Sequence, residues 1–530
     1  MQALEDSYWS LEFAGAARIP GWDGALARDV ATHFAHFAAA RLVPLDGPGD
    51  LQGCRLVDGR VYLPDGFAEA YRELAEAGWQ GLSAPEEFGG QAQGPAVQAL
   101  VSEVFSGACH ALQMVVGLVP GAIRLLRHVA TPDQQARFIP QLASGAWLAT
   151  MCLTEPEAGS DLSRIRSRAA RGAQGWRING EKIFISGGDQ NASENILHLV
   201  LARTGPEGTR GLSLFACPAI LGDGQRNKIT VARIEDKMGL HGSPTCHMMF
   251  DDAEAELIGA PGQGLAAMFL LMNHARLDVA LQGVAHAAKA HAIARDYAAG
   301  RKQGRRPDGS PAVLAQHPDV ARMLAGMDRQ TLAARALAHT ALVALETGDV
   351  ALAEFLTPMA KVAGSNAGIR VTETAMQVLG GYGYLHEYRL EQAYRDARIC
   401  AIYEGANGIQ ALTLATRGLS HAGGAQARAF AEYIGQVAKT YPQSPVAQAL
   451  EDWDALCDHV RRTPADLADL LMQASIALAE LAFWQRVSTE CTGNARLQGL
   501  GADARNLAVH TIRSSLHFAT LREQPVPEIA

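Results

Sequence analysis

Residues 377–410 read QVLGGYGYLHEYRLEQAYRDARICAIYEGANGIQ, and the reading of this stretch decides the rest. A glycine pair, several tyrosines and alternating charges stand in an otherwise alanine-rich neighbourhood, with Glu404 alone between Tyr403 and Gly405. A solvated loop carboxylate is the usual fate of a glutamate. Outward on the N-terminal side the helical period is plain, as at Val320, Met323, Leu324 and Met327, so residues 265–420 are expected to be a helical domain. On the C-terminal side a small-residue linker, His421-Ala422-Gly423-Gly424-Ala425, opens an extension over 421–530. There Thr463-Pro464 starts a helix with Leu467, Leu471, Ala474, Leu478 and Leu481 on one face, which points to packing or oligomer contacts. The end, Gln524-Pro525-Val526-Pro527, reads as a loose tail.

Before residue 265 the texture differs. From 147 to 264 short apolar runs alternate with turn residues, the pattern of a β domain. Trp176-Arg177-Ile178, Asn179-Gly180 and Ile183-Phe184-Ile185 read as a hairpin, because Asn-Gly tolerates the positive φ of a tight turn. Leu197–Ala202, Leu212–Ala216 and Thr245–Phe250 are further expected strands. Residues 1–146 read as a helical domain, with helices at Ala25–Arg41, Phe67–Ala77 and from Val97 to about Val119, a Pro/Gly loop at Leu82–Gly90, and a capping signal at Thr131-Pro132-Asp133-Gln134. Gly262-Gln263-Gly264-Leu265-Ala266-Ala267 matches a dinucleotide fingerprint, but an acidic loop precedes it and a long helix follows, so it reads as a loop entering a helix.

The 530 residues exceed what one core usually holds, and about half are apolar. The net charge of −9 with dispersed cations argues against nucleic acid as the partner. No secretory signal and no membrane-spanning stretch is read, and cytoplasm is the expected location. The eight cysteines are scattered without a CxxC pair and are expected to be reduced. The histidines lack metal-ligand spacing, so no metal is expected.

A second informative stretch is Met151-Cys152-Leu153-Thr154-Glu155-Pro156-Glu157-Ala158-Gly159-Ser160-Asp161, a loop with two hydroxyls and small residues that suits a flat polar ring better than a phosphate. With KIFISGG, KMGLHGSPTCHMMFDD, QVLGGYGYLHEY and RDARICAIYEGANGIQ in order over roughly residues 60–420, the chain resembles the acyl-CoA dehydrogenase family. The N-terminal segment and the extension are similar to its longer bacterial branch, that of 3-methylmercaptopropionyl-CoA dehydrogenases. The implied fold is mainly α with an inserted β domain: N-terminal helical domain, middle β-barrel, C-terminal four-helix bundle, then the helical extension.

The resemblance also implies chemistry. Thr154 and Ser186 match hydroxyls that bond the flavin ring of FAD, with Met151, Leu153 and Phe184 along it. Ser160 and Arg276 match contacts to the CoA portion of an acyl-CoA substrate. Arg301 matches an arginine that reaches the FAD pyrophosphate of a neighbouring subunit, while Gln377, Gly380 and Gly381 cradle the adenine half of that FAD, so a homodimer or dimer of dimers follows. Glu404 matches the base that removes the α-proton, with its own backbone N–H and an FAD hydroxyl holding the enolate; Gly405 leaves room for the thioester and Tyr403 walls the cavity. Hydride then passes to flavin N5, leaving a trans-2-enoyl-CoA, and electrons go to electron-transfer flavoprotein. Glu155, Asp161 and Asp396 are assigned structural roles, capping turns or pairing with Arg166, Arg395 or Arg398. Ala406 stands where the family often has a threonine that contacts FAD, Gly408 for a glutamine, Phe184 for a tryptophan and Gly304 for a phenylalanine. Two alternatives share the fold: an oxidase using O2, and a flavin-containing, DNA-associated relative, against which the acidic Glu451–Asp454 and Asp466–Asp469 stand.

Overall fold

The structure, a computed structural model, describes residues 2–172 and 175–522, so the Gln524–Pro527 tail lies outside the described residues. The chain forms two compact units: residues 29–275, and the residues up to 28 joined to those from 276 onward.

In chain order, α1 (Gln2–Phe13) belongs to the second unit, and α2 (Gly24–Phe37) leads into the first. There α3 (Val43–Gln52), the hairpin β1 (Arg55–Val57) and β2 (Arg60–Tyr62), α4 (Phe67–Glu76), α5 (Pro95–Val116), α6 (Val119–Val129) and α7 (Pro132–Ala143) follow. The apolar run after Val97 is thus two helices, divided at Gly117-Leu118. At the start of α7 Gln134 N donates to Thr131 Oγ1 at 3.3 Å and Thr131 N to Gln134 Oε1 at 3.1 Å, the reciprocal cap its sequence spells.

Seven strands then form one sheet: β3 (Trp147–Cys152), β4 (Arg168–Gly172), β5 (Gly175–Ser186), β6 (Asn195–Arg203), β7 (Leu212–Pro218), β8 (Ile229–Ile234) and β9 (Thr245–Ile258). The order β6-β4-β5-β9-β7 returns to β6 through its antiparallel pairing with β7, which closes a barrel around Cys152, Ile178, Ile185, Val200, Phe215, Met248 and Phe250. Every residue of β6 is buried, and it runs parallel to β3, which accounts for an apolar run without alternation.

The Asn179-Gly180 hairpin expectation is corrected here. Residues 175–186 are one strand, with Asn179 opposite Arg168 and Gly172 opposite Gly175. Gly180 does have positive φ, +142°, but it sits at a register shift against β9, where a Cβ would lie 2.4 Å from Ser167 Oγ. The glycine serves a close approach within a strand instead of a turn.

The second unit contains most of α8 (Gly264–Gly300), the hairpin β10 (Lys302–Arg305) and β11 (Pro311–Val313), α9 (Pro318–Glu346), α10 (Val350–Leu379), α11 (Leu390–Arg398), α12 (Asn407–Thr413), α13 (Ala425–Thr440), α14 (Val446–Arg462), α15 (Pro464–Glu490) and α16 (Ala495–Arg522). Helices α8 and α10 meet backbone to backbone: a Cβ on Gly283 would stand 2.2 Å from Gly364 O, and one on Gly364 2.2 Å from Ala280 O. Leu467, Leu471, Ala474, Leu478 and Leu481 of α15 are all buried. Arg496 of α16 clamps Asp6 of α1 at 2.8 Å and Asp328 of α9, which fastens the first helix of the chain to its last.

The expectation that no stretch is long and apolar enough to span a membrane is also corrected. By length and composition α5, α8 and α15 are, with 83%, 44% and 72% of their most apolar windows buried inside the protein. Their small and aliphatic residues are used for helix packing, the glycine contact of α8 being one case.

Candidate active site

The barrel unit carries one group of the expected site residues. Strand β3 delivers Met151, the buried Leu153 and the half-buried Thr154. Pairing between β5 and β9 shifts register between Lys182 and Ile185, and there Ile183 N leaves the ladder to donate to Thr154 O at 2.9 Å. This bulge lays the 151–154 and 184–186 segments side by side. It also leaves Phe184 at φ +59° with 61% of its surface exposed, a bare aromatic face, while Ser186 pairs with Thr245. Beneath, the fully buried Lys182 donates to Leu153 O at 2.9 Å and Glu155 Oε1 at 2.8 Å, and Glu155 also accepts from Arg166 N and Ser167 N. Burial pushes the Glu155 carboxyl up, but the Lys182 charge and these donors outweigh it and hold it below the usual range. Glu155 therefore locks the loop, and its partner is the Lys182 side chain; Arg166 pairs with Glu157 instead. Ser160 stands exposed, and Asp161 caps the next turn through Ser163 N at 3.1 Å.

A second group gathers on the helical unit. Arg301 lies over the Tyr382 ring at 5.7 Å, and Tyr297, Tyr382 and Tyr388 pack with centroids 5.5 to 6.1 Å apart. Gly380 ends α10 at φ +61°, and Gln377, Gly380 and Gly381 are exposed on the segment that leads into Tyr382, the ring under Arg301.

The third group surrounds Glu404. Glu404 and Gly405 both have positive φ, +53° and +90°, just before α12, and Ala406 stands at the cap position of that helix without a side-chain bond. A Cβ on Gly405 would lie 2.4 Å from Gln410 Nε2. The carbonyls of the turn are taken: Gln410 Nε2 donates to Glu404 O at 2.9 Å, Arg276 Nε to Glu404 O at 3.4 Å, and Lys361 Nζ to Gly405 O at 2.9 Å. Tyr403 is held by its hydroxyl on Gln282, whose Nε2 donates to Asp278. Among the described residues Glu404 Oε2 is out of solvent and has no hydrogen-bond partner. Burial pushes its pKa up to about 7, with Arg276 and then Lys361 pulling it down and Asp278 adding to the rise. A carboxyl lifted toward neutrality by burial, with an oxygen free of hydrogen bonds, suits general-base chemistry.

Lys182, Lys361, Gln282 and Gln410 are additions to the residues expected from sequence. The signal for Lys361 is a single cation inside an apolar run, TPMAKVAG, and for Lys182 a cation heading one, KIFIS, after Glu181.

Three family descriptions match in order: acyl-CoA dehydrogenase, N-terminal domain, over residues 57–146; middle domain, over 150–253; C-terminal domain, over 262–419. A 3-methylmercaptopropionyl-CoA dehydrogenase of Ruegeria pomeroyi is 41% identical over 429 residues, 77% of this chain and 73% of that protein. The solved butyryl-CoA dehydrogenase of Megasphaera elsdenii superposes with TM-score 0.64 at 28% identity, over 72% of this chain and 95% of its own. A chain solved in work on the electron transferring flavoprotein of Acidaminococcus fermentans superposes with TM-score 0.65 at 27% identity, over 74% and 98%.

Proposed function

The chain belongs to the acyl-CoA dehydrogenase family, an oxidoreductase family whose cofactor is FAD, and we propose that it converts an acyl-CoA thioester to the trans-2-enoyl-CoA with Glu404 as the base. The observation that carries this reading is the buried, unpartnered Glu404 Oε2 on a turn whose carbonyls are tied down by three side chains.

The proton next to a thioester carbonyl is a weak acid, and it leaves only when the developing oxyanion meets a fixed donor while a positioned base takes the proton. Glu404 Oε2 receives that proton. No acceptor among the described residues takes the Glu404 backbone N–H, which stands ready for the thioester oxygen. A donor of that kind contributes about 3 kcal/mol to the transition state. FAD, when bound, supplies the flavin ring that accepts the β-hydride, which balances the two hydrogens lost. The barrel residues suit that ring: Phe184 offers an exposed aromatic face, and the Thr154 and Ser186 hydroxyls, on the segments either side, would bond it. Met151 lies on the strand leading to it and Leu153 just past the strand's end. Ala406 contributes backbone only. Ser160 and Arg276 meet the CoA portion, and Gly405 keeps the turn open to the thioester. Arg301, Gln377, Gly380 and Gly381, exposed together, hold the far half of a neighbouring chain's FAD in a homodimer or dimer of dimers.

Electrons leave to electron-transfer flavoprotein, in line with the likeness to the Acidaminococcus chain, and the acyl group is short or medium, in line with the 3-methylmercaptopropionyl- and butyryl-CoA relatives. Anaerobic titration of the FAD-loaded protein with a panel of acyl-CoAs tests this: at least one should bleach the flavin, and bleaching by none would overturn it. The acceptor is read by reoxidation, fast with electron-transfer flavoprotein and slow in air; fast peroxide formation would assign an oxidase instead.

A further inference from the structure

We propose that Lys361 is the positioning residue of the Glu404 turn: from α10 it fixes the turn through the Gly405 carbonyl and Asn407, and its charge is one of the two cations acting on the Glu404 carboxyl. The inference rests on reading Glu404 as the base.

Lys361 is fully buried, an arrangement a lysine adopts only when its ammonium is paired. Two of its three donors are spent on one short segment, Gly405 O and Asn407 Oδ1, each at 2.9 Å. Asn407 is in turn tied to α10 by Ser365 Oγ at 3.1 Å and Asn366 Oδ1 at 3.2 Å. Helix α10 therefore grips the segment immediately after the base. That grip matters because Glu404 occupies left-handed backbone, which L-residues other than Gly, Asn and Asp avoid. A turn of this kind relaxes unless its peptide planes are held. With no hydrogen-bond partner on Oε2 among the described residues, the aim of the carboxylate depends on the backbone that carries it.

The charge has its own part. Facing Glu404 are Arg276 and Asp278 of α8, Lys361 of α10 and Tyr403 of the preceding segment, while Cys400 faces Lys361 and Tyr403. Asp278 raises the Glu404 pKa and the two cations lower it. Burial moves Lys361 down to about 8, so it stays mainly cationic at neutral pH. Without it the carboxyl would hold its proton to higher pH and be a scarcer base.

The test uses the FAD-loaded protein and the acyl-CoA that bleaches wild type fastest. Lys361→Met is expected to slow single-turnover bleaching on the order of tenfold or more, with thioester affinity within about threefold. The Glu404 carboxyl, titrated in the resting protein by difference infrared spectroscopy, is expected to move to higher pH. Lys361→Gln, which keeps a donor without the charge, should recover part of the rate while leaving that titration displaced. Wild-type rates and titration in both variants would overturn the proposal, as would a rate loss matched by lost affinity with the titration unmoved. If Lys361→Met does not accumulate as folded flavoprotein, Asn407→Ala carries the test: it keeps the cation and should slow bleaching with the titration unmoved, whereas a wild-type rate overturns the proposal. Glu404→Gln run alongside separates the two readings. If it bleaches normally the base assignment fails; if it is inert and the Lys361 variants are normal, only the positioning role fails.

Discussion

Burial lifts two carboxyls of this protein, Glu404 and Glu480, to the same range, and their backbones are what set them apart. Burial pushes both Glu404 and Glu480 up to about 7, and each has two cations pulling the other way, Arg276 and Lys361 in one case, Arg329 and Arg370 in the other. Glu480 lies within helix α15 and faces a cavity of about 20 Å3, room for a water, lined also by Phe13, Ala333, Leu337, Phe483 and Arg486. Its backbone is ordinary helix. Glu404 sits on left-handed backbone whose carbonyls are occupied by Arg276, Gln410 and Lys361 and whose N–H meets no acceptor among the described residues. A raised pKa is thus a property of burial, and only the second arrangement joins it to a left-handed turn whose carbonyls are tied down, which is why we place the base there.

The contrast can be sharpened by altering the backbone at Glu404 without touching its carboxyl. Gly405→Val puts a side chain where φ is +90° and Gln410 Nε2 would be 2.4 Å from its Cβ, and bleaching is expected to fall on the order of 100-fold. Gly364→Ala forces α8 from α10, since its Cβ would meet Ala280 O at 2.2 Å; chemical denaturation should show a loss of about 3 kcal/mol, and turnover should fall because Arg276 and Lys361 sit on those two helices.

Linkage to pH treats both carboxyls alike. Each has a folded pKa near 7 against an ordinary 4.5, so the folded protein holds a proton the unfolded chain has released. Stability from these groups is full below pH 4.5, declines as pH rises to 7 and is flat above. Glu404→Gln and Glu480→Gln should each stabilise the protein at pH 8, by at most about 3 kcal/mol, and leave it unchanged at pH 4, as read by melting across pH. A smaller effect is expected from Arg496→Leu, which unfastens α1 from α9 and α16 and should cost about 2 kcal/mol while the folded fraction bleaches normally. Smallest is Thr131→Ala, about 1 kcal/mol through the lost cap of α7.

Local signals in the sequence carried far where the chemistry is local. The Thr131 cap, the strand runs at 197–202 and 212–216, and the start of α15 at Thr463-Pro464 each depend on residues a few positions apart. Thr154 and Glu404 stood out because each lies in a dense, ordered motif. What failed or was missed depends on distant partners. Gly180 looked like a turn because positive φ serves a close approach equally well, and Ser167 is what it approaches. Gly283 and Gly364 give no local hint that they meet. Lys182 and Lys361 are buried only because a carboxylate and a loop carbonyl, or a turn carbonyl and an asparagine, wait for them. Nor does α1 announce that its Asp6 will meet Arg496.

The most direct test sets the two carboxyls side by side. Wild type, Glu404→Gln and Glu480→Gln, each loaded with FAD, are mixed anaerobically with the acyl-CoA that bleaches wild type fastest, and the single-turnover rate of flavin bleaching is followed. The prediction is a rate in Glu480→Gln within about twofold of wild type and a loss in Glu404→Gln of about 10²–10⁴, with the thioester still bound. Normal bleaching by Glu404→Gln, or an equal collapse in Glu480→Gln, would contradict the assignment of Glu404 as the base.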